Sequence, residues 1–231
     1  MKIHGFNKTT LLDYPGHLAA TIFLGGCNFR CPFCHNATLV LSPESQPTIS
    51  EEELFTTLSK RQGLLEGVCI TGGEPTLYPD LDLFLRKIKN LGYLIKLDTN
   101  GYNPSYLKNL IQLGLLDYVA MDIKNSKEKY GTTSGVSTLD TSKISESISL
   151  LISSDIDYEF RTTVVKEYHT IDDFRSIGAW IKGAKAYYLQ AYKDSGDTLT
   201  TGLSSYSKSD LENFKEAVHP YVNSIGIRGM D

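Results

Sequence analysis

Short apolar runs set between helical repeats give the chain its rhythm. Leu18–Leu24 (LAATIFL) is apolar almost without alternation, as expected of a strand covered on both faces. Val68–Thr71, Leu94–Leu97, Tyr118–Met121, Tyr158–Val165 and Ala186–Gln190 repeat that signal, and Ile225–Arg228 is a short closing strand. Between the runs, apolar residues return every three or four positions, the period of one helix face. Leu54, Phe55 and Leu58 mark the first helix, and Leu81, Phe84, Leu85 and Ile88 the second. Leu107, Leu110 and Ile111 mark the third, and Ile144, Ile148 and Leu151 the fourth. Phe174, Ile177 and Ile181, joined by Trp180, mark the next, and Leu211, Phe214 and Val218 the last. Ser50–Glu53 and Thr170–Asp173 read as capping boxes, Pro104 suits a first helical position, and Gly92 and Gly114 suit helix ends.

Strands alternating with amphipathic helices imply βαβ units around a parallel sheet. Six such units predict an α/β fold curled into a partial (β/α)6 barrel. A closed eightfold barrel typically takes about 250 residues, and the strand count falls short of it. Residues 1–16 predict a strand and turn ahead of the barrel, ending at Pro15-Gly16, so the expected organisation is one domain: a 1–16 extension and a 17–231 barrel. The stretch after the first strand, broken by Pro43 and Pro47, is irregular, and Asn125 to Leu139 is a polar segment.

Composition mainly excludes. A formal net charge of −4 without a lysine or arginine run argues against broad nucleic-acid binding. No apolar stretch approaches the roughly 18 residues of a membrane span. MKIHGFNKTT has no apolar core of a secretory signal, which points to a reducing cytoplasm.

The chemistry sits in GGCNFRCPFCHN, residues 25–36. Cys27, Cys31 and Cys34 follow C-x3-C-x2-C. Thiolates this crowded repel or oxidise unless a soft metal centre takes them up. Cys31–His35 also matches the haem-attachment pattern C-x-x-C-H, but without export and with Cys27 unexplained. A thioredoxin-like pair likewise leaves Cys27 idle. Cys69 as a fourth ligand would make a zinc or ferredoxin-type site, though it lies in the apolar run VCIT, where cysteine behaves as a small hydrophobe. Three ligands alone leave one metal position open, which implies reactivity rather than a structural staple.

The cysteine spacing, with the aromatic Phe33 before the last cysteine, resembles the signature of the radical S-adenosylmethionine (SAM) enzymes. LLDYPG (residues 11–16) and CPFCHN narrow the resemblance to the activating proteins of anaerobic ribonucleoside-triphosphate reductase, relatives of the pyruvate formate-lyase activating enzyme. The resemblance spans essentially the whole chain and implies the partial barrel. It implies a [4Fe-4S] cluster on Cys27, Cys31 and Cys34, with SAM on the uncovered iron. It also implies reductive cleavage of SAM to a 5′-deoxyadenosyl radical, which would make a glycyl radical on a partner enzyme, with a flavodoxin- or ferredoxin-type electron donor. No side chain stands out as a general acid or base.

Polar residues gather where the apolar strands end, the ligand-binding rim of parallel α/β folds. After the second strand come Gly72, Gly73, Glu74 and Pro75, similar to the family's GGEP element that holds the SAM amino group. Glu74 reads equally as an orienting group or a surface carboxylate. Asp98, Thr99, Asn100 and Gly101 close the third strand, and Asp122, Ile123 and Lys124 the fourth. By resemblance, Asp98, Thr99 and Asp122 help bind SAM and a monovalent cation, with Lys124 offsetting charge or meeting a peptide substrate. Arg161 resembles a SAM-contacting arginine; the plain alternative is an ion pair with Glu159 or Asp157. Gln190 follows on the sixth strand, where Lys193 replaces a histidine of the related activase. His35 is expected to be a structural hydrogen-bonding residue, and the other histidines have no assigned role. Two further readings stay open: radical SAM chemistry on a small molecule, as in 7-carboxy-7-deazaguanine synthase, and a non-enzymatic iron–sulfur electron carrier.

Overall fold

The structure is a computed structural model of the chain, and it describes residues 1–194 and 196–230. The chain falls into two compact units, Met1–Asn28 with Thr38–Thr99 and Ser105–Val119, and Phe29–Ala37 with Asn100–Pro104 and Ala120–Asp231.

In the first unit, β1 (Ile3–Thr10) pairs antiparallel with β2 (Ala19–Leu24), and β2, β3 (Gly67–Gly72) and β4 (Leu94–Thr99) follow as parallel neighbours. Their register aligns Thr21 with Cys69 and Cys69 with Lys96, so these three side chains form one row across a face. The LLDYPG turn closes that row: Asp13 accepts a hydrogen bond from Thr21, and Tyr14 fills the space where a side chain on Gly67 would stand. Leu11 and Leu12 of the same turn remain exposed.

Two helices complete this unit's parallel crossovers as their periodicity predicts. α2 (Glu51–Ser59) begins at Ser50, whose hydroxyl accepts from the Glu53 amide at 3.1 Å, one half of the expected capping box. α3 (Leu81–Asn90) buries Leu81, Phe84, Leu85 and Ile88, each worth roughly 1.5–3 kcal/mol of transfer free energy. A short helix, α1 (Ala37–Leu41), occupies part of the stretch read as irregular; its five residues are too few to show a period. α4 (Pro104–Gln112) starts on the expected proline.

β5 (Tyr118–Asp122) begins in the first unit and ends in the second. There β6 (Asp157–Val164), β7 (Tyr187–Ala191) and β8 (Ile225–Arg228) run parallel in chain order. α6 (Thr141–Ser153), α7 (Ile171–Trp180) and α8 (Lys208–Val218) are amphipathic and bury the periodic residues, except that Trp180 is only half-buried. The polar stretch after β5 is not a plain loop. It holds α5 (Tyr130–Ser134) and is partly interior, with Asn125, Ser126, Tyr130, Thr133 and Ser134 buried. The fold is therefore α/β with a mostly parallel sheet. Among the described residues no helix is long and apolar enough to cross a membrane.

Candidate active site

The ends of β2 and β3 pack so closely that only glycine serves. Gly73 N–H donates to the Leu24 carbonyl and Glu74 N–H to the Gly26 carbonyl, each at 2.8 Å. A Cβ on Gly73 would fall well inside van der Waals contact of the Gly26 carbonyl, and Gly72 has φ +113°, reached readily only by glycine. The structure shows these glycines approaching the chain's own backbone at Leu24 and Gly26, three residues and one residue before Cys27. The GGEP turn thus fixes the root of the cysteine loop.

Glu74 is no surface carboxylate. It is 1% exposed, and its Oε1 accepts from the Thr76 amide at 3.1 Å, the Thr76 hydroxyl at 2.6 Å and the Thr99 hydroxyl at 2.8 Å. This joins the ends of β3 and β4, and orients Thr99. Asp98, one residue earlier, accepts from the Thr71 hydroxyl at 3.0 Å and forms an ion pair with Lys96. Lys96 went unremarked in the sequence, although a lysine inside an otherwise apolar strand run was its signal. Its ammonium also lies 3.7 Å from the Cys69 sulfur, which places Cys69 in the packed interior beside a cation.

In the second unit, Cys34 N–H donates to the Cys31 carbonyl at 3.0 Å, a tight turn that holds Phe33 between the two cysteines. Phe33 is buried and packs with Val165, Tyr168, His169 and Tyr192. His35 stacks on Tyr192, ring centroids 5.6 Å apart at 18°, in place of the hydrogen-bonding role expected for it. After β7 the inward residue is Tyr192, while Lys193 points out to solvent. The Tyr192 hydroxyl is buried without a hydrogen-bond partner among the described residues. Gln190 sits on β7 in register with Arg228, half-buried.

Asp122 is the electrostatic centre of this unit's strand ends. Its Oδ1 receives Arg161 Nε at 3.0 Å and its Oδ2 receives Lys124 Nζ at 2.9 Å. Burial pushes its acidity the other way, but the two cations outweigh that and hold the carboxyl at about 2. Burial likewise disfavours charge on Lys124, yet Asp122 and the Cys31 sulfur raise its pKa further still. One carboxylate facing two cations leaves a net positive charge. Glu159, 1% exposed, is taken bidentately by Arg228 at 2.6 and 2.8 Å. Asn100 is buried, and its carbonyl caps the Tyr102 amide at 3.0 Å.

His169, with no assigned role from sequence, ties two strand ends. Its Nδ1 accepts from the Val165 amide at 3.1 Å and its Nε2 donates to the Lys124 carbonyl at 2.8 Å. Burial lowers its pKa, in keeping with this neutral tautomer.

Residues 21–181 match the Radical SAM superfamily. The chain belongs to the radical SAM superfamily. Along 98% of its length it is 31% identical to a Methanocaldococcus jannaschii protein, covering 95% of it, whose name gives it provisionally as a glycyl-radical enzyme activating enzyme. It is 29% identical to the pyruvate formate-lyase-activating enzyme of Clostridium pasteurianum over 54% of this chain and 52% of that one. To the 7-carboxy-7-deazaguanine synthase of Neisseria meningitidis it is 34% identical over 47% and 45%. Among solved structures, Streptococcus suis SuiB bound to S-adenosylmethionine superposes with TM-score 0.68 at 16% identity, covering 90% of this chain and 52% of SuiB. That likeness is one of fold, the superfamily's partial barrel.

The superfamily's cofactors are a [4Fe-4S] cluster and SAM, and the donor set of this radical SAM chain fits them. None of its four cysteines is in a disulfide. Burial pushes Cys31 up to about 11 and raises Cys34, so both are protonated at neutral pH until a metal takes the sulfur. Among the described residues no three His, Cys, Asp or Glu side chains converge on a single-ion site. A four-iron cluster gives each thiolate its own iron and needs no such convergence.

Proposed function

We propose that the chain is a glycyl-radical enzyme activating enzyme, with Cys27, Cys31 and Cys34 holding the cluster. The observation that carries this reading is the likeness to the Methanocaldococcus jannaschii protein from end to end. The cluster and SAM, when bound, supply a 5′-deoxyadenosyl radical that can take hydrogen from a backbone glycine. The chain's own residues bind and orient. Gly72 and Gly73 lock the base of the cysteine loop, and Glu74 holds Thr99 in place. Arg161 and Lys124 carry more positive charge than Asp122 cancels, which suits the SAM carboxylate. Phe33 with Val165 and Tyr192 forms an apolar wall that keeps water from the cysteine turn, and Asp98, Asn100 and Gln190 supply the remaining polar contacts. No side chain has to move a proton.

The substrate within this class is an anaerobic ribonucleoside-triphosphate reductase or a related glycyl-radical enzyme, and the electron donor a flavodoxin or ferredoxin. The test is electron paramagnetic resonance on the anaerobically reconstituted protein mixed with SAM, reductant and a reductase of that class. A glycyl-radical doublet is expected on the partner, and none when Cys34→Ala replaces the native chain. The partial likeness to a 7-carboxy-7-deazaguanine synthase favours a second reading, SAM chemistry on a small molecule. Cleavage of SAM with no radical on any such partner would move the assignment there.

A further inference from the structure

The interior row Thr21–Cys69–Lys96 contains a full charge that none of the roles above uses. Lys96 is 2% exposed, and its register neighbour on β3 is Cys69. Its ammonium pairs with Oδ1 of Asp98, two residues further along β4 and so on the same face, while Oδ2 of Asp98 accepts from Thr71. Burying an ammonium is costly, and a position that served packing alone would carry an apolar side chain.

A carboxylate at the end of a buried strand needs a positive partner. That partner can be a cation drawn from solution or a side chain. The family resemblance implies a monovalent cation beside Asp98, Thr99 and Asp122. The structure gives each group a partner from the chain itself. Lys96 meets Asp98, Lys124 and Arg161 meet Asp122, and the Thr99 hydroxyl donates to Glu74. A lysine ammonium is a compact point charge, close in kind to an alkali ion, but covalently tethered and independent of the salt outside.

We propose that Lys96 is a built-in monovalent cation, neutralising and orienting Asp98 at the end of β4 so that SAM binds without an alkali ion. Lys96 is a positioning residue, acting through Asp98, and the inference rests on the placing of Asp98 in the SAM site. A role confined to packing would leave the response to salt unchanged.

The experiment measures the SAM dissociation constant of the anaerobically reconstituted full chain by equilibrium dialysis. The salts are potassium, sodium, lithium and tetramethylammonium chloride at equal ionic strength. The native chain is expected to bind equally in all four, within about twofold. Lys96→Gln should bind about tenfold or more weakly in tetramethylammonium, as for a lost hydrogen bond to a charged group, and recover in potassium. Native binding that requires potassium or sodium overturns the proposal, as does a Lys96→Gln chain that matches the native one in every salt. If Lys96→Gln does not fold, Lys96→Gln with Asp98→Asn removes both charges: recovery of a folded, iron-loaded chain upholds the pairing. If that chain also fails, the native salt series decides alone. Absence of a partner glycyl radical would remove the proposed function and leave this result standing; alkali-dependent SAM binding would remove this inference alone.

Discussion

Cys69 and its three fellow cysteines show how little residue type alone decides. None of the four is in a disulfide, yet Cys69 is enclosed in the β3 interior beside Lys96, whereas the motif cysteines follow Gly26, which the GGEP turn fixes. Cys27→Ala, Cys31→Ala and Cys34→Ala are each expected to lose most of the iron and sulfide taken up on anaerobic reconstitution. Cys69→Ala is expected to keep the full complement by colorimetric assay. Loss from Cys69→Ala as severe as from Cys27→Ala would instead support the four-ligand electron carrier. The same dependence on surroundings governs Glu74 and Arg161, whose partners Thr99 and Asp122 lie 25 and 39 residues away along the chain.

At the scale of elements, the strand ends are joined by side chains rather than by backbone alone. Glu74 links β3 to β4, His169 links the segments after β5 and β6, and Glu159 with Arg228 clamps β8 to β6. Arg228 also lies 3.5 Å over the Tyr188 ring, so its side chain both pairs and packs. Arg228→Ala removes the bidentate partner of the buried Glu159 carboxylate. The expected cost is about 2–4 kcal/mol, read as a lower urea midpoint at unchanged slope. Glu159→Gln with Arg228→Ala should recover part of it, because the buried charge is gone.

Acid stability reads the molecule as a whole. His169 is neutral when folded and its pKa lies below the usual 6.5, so the unfolded chain binds the proton more readily. Folding stability should therefore fall as pH drops below about 6.5. Asp122 titrates lower when folded, at about 2 against 3.8, so its contribution is complete above about pH 4 and is lost on the way down to about 2. Urea midpoints of the cluster-free chain between pH 8 and pH 2 are expected to show both declines. His169→Gln should flatten the upper one and Asp122→Asn the lower; an unchanged upper decline in His169→Gln would show that another group causes it.

The sequence by itself determined the alternation of elements, most of their limits and the three-cysteine signature. These are local: apolar period, capping residues and ligand spacing act within a few positions along the chain. It missed α1 and α5, because five residues give no period and a buried polar stretch looks like a loop until its partners are known. Only the tertiary structure decided that Gly72 and Gly73 accommodate backbone, that Glu74 is interior, that Arg161 meets Asp122, and that Lys96 lies beside Cys69. Each of these depends on which strand lies beside which and in what register. A buried charge takes its meaning from neighbours tens of residues away, and no pattern along the chain records that distance.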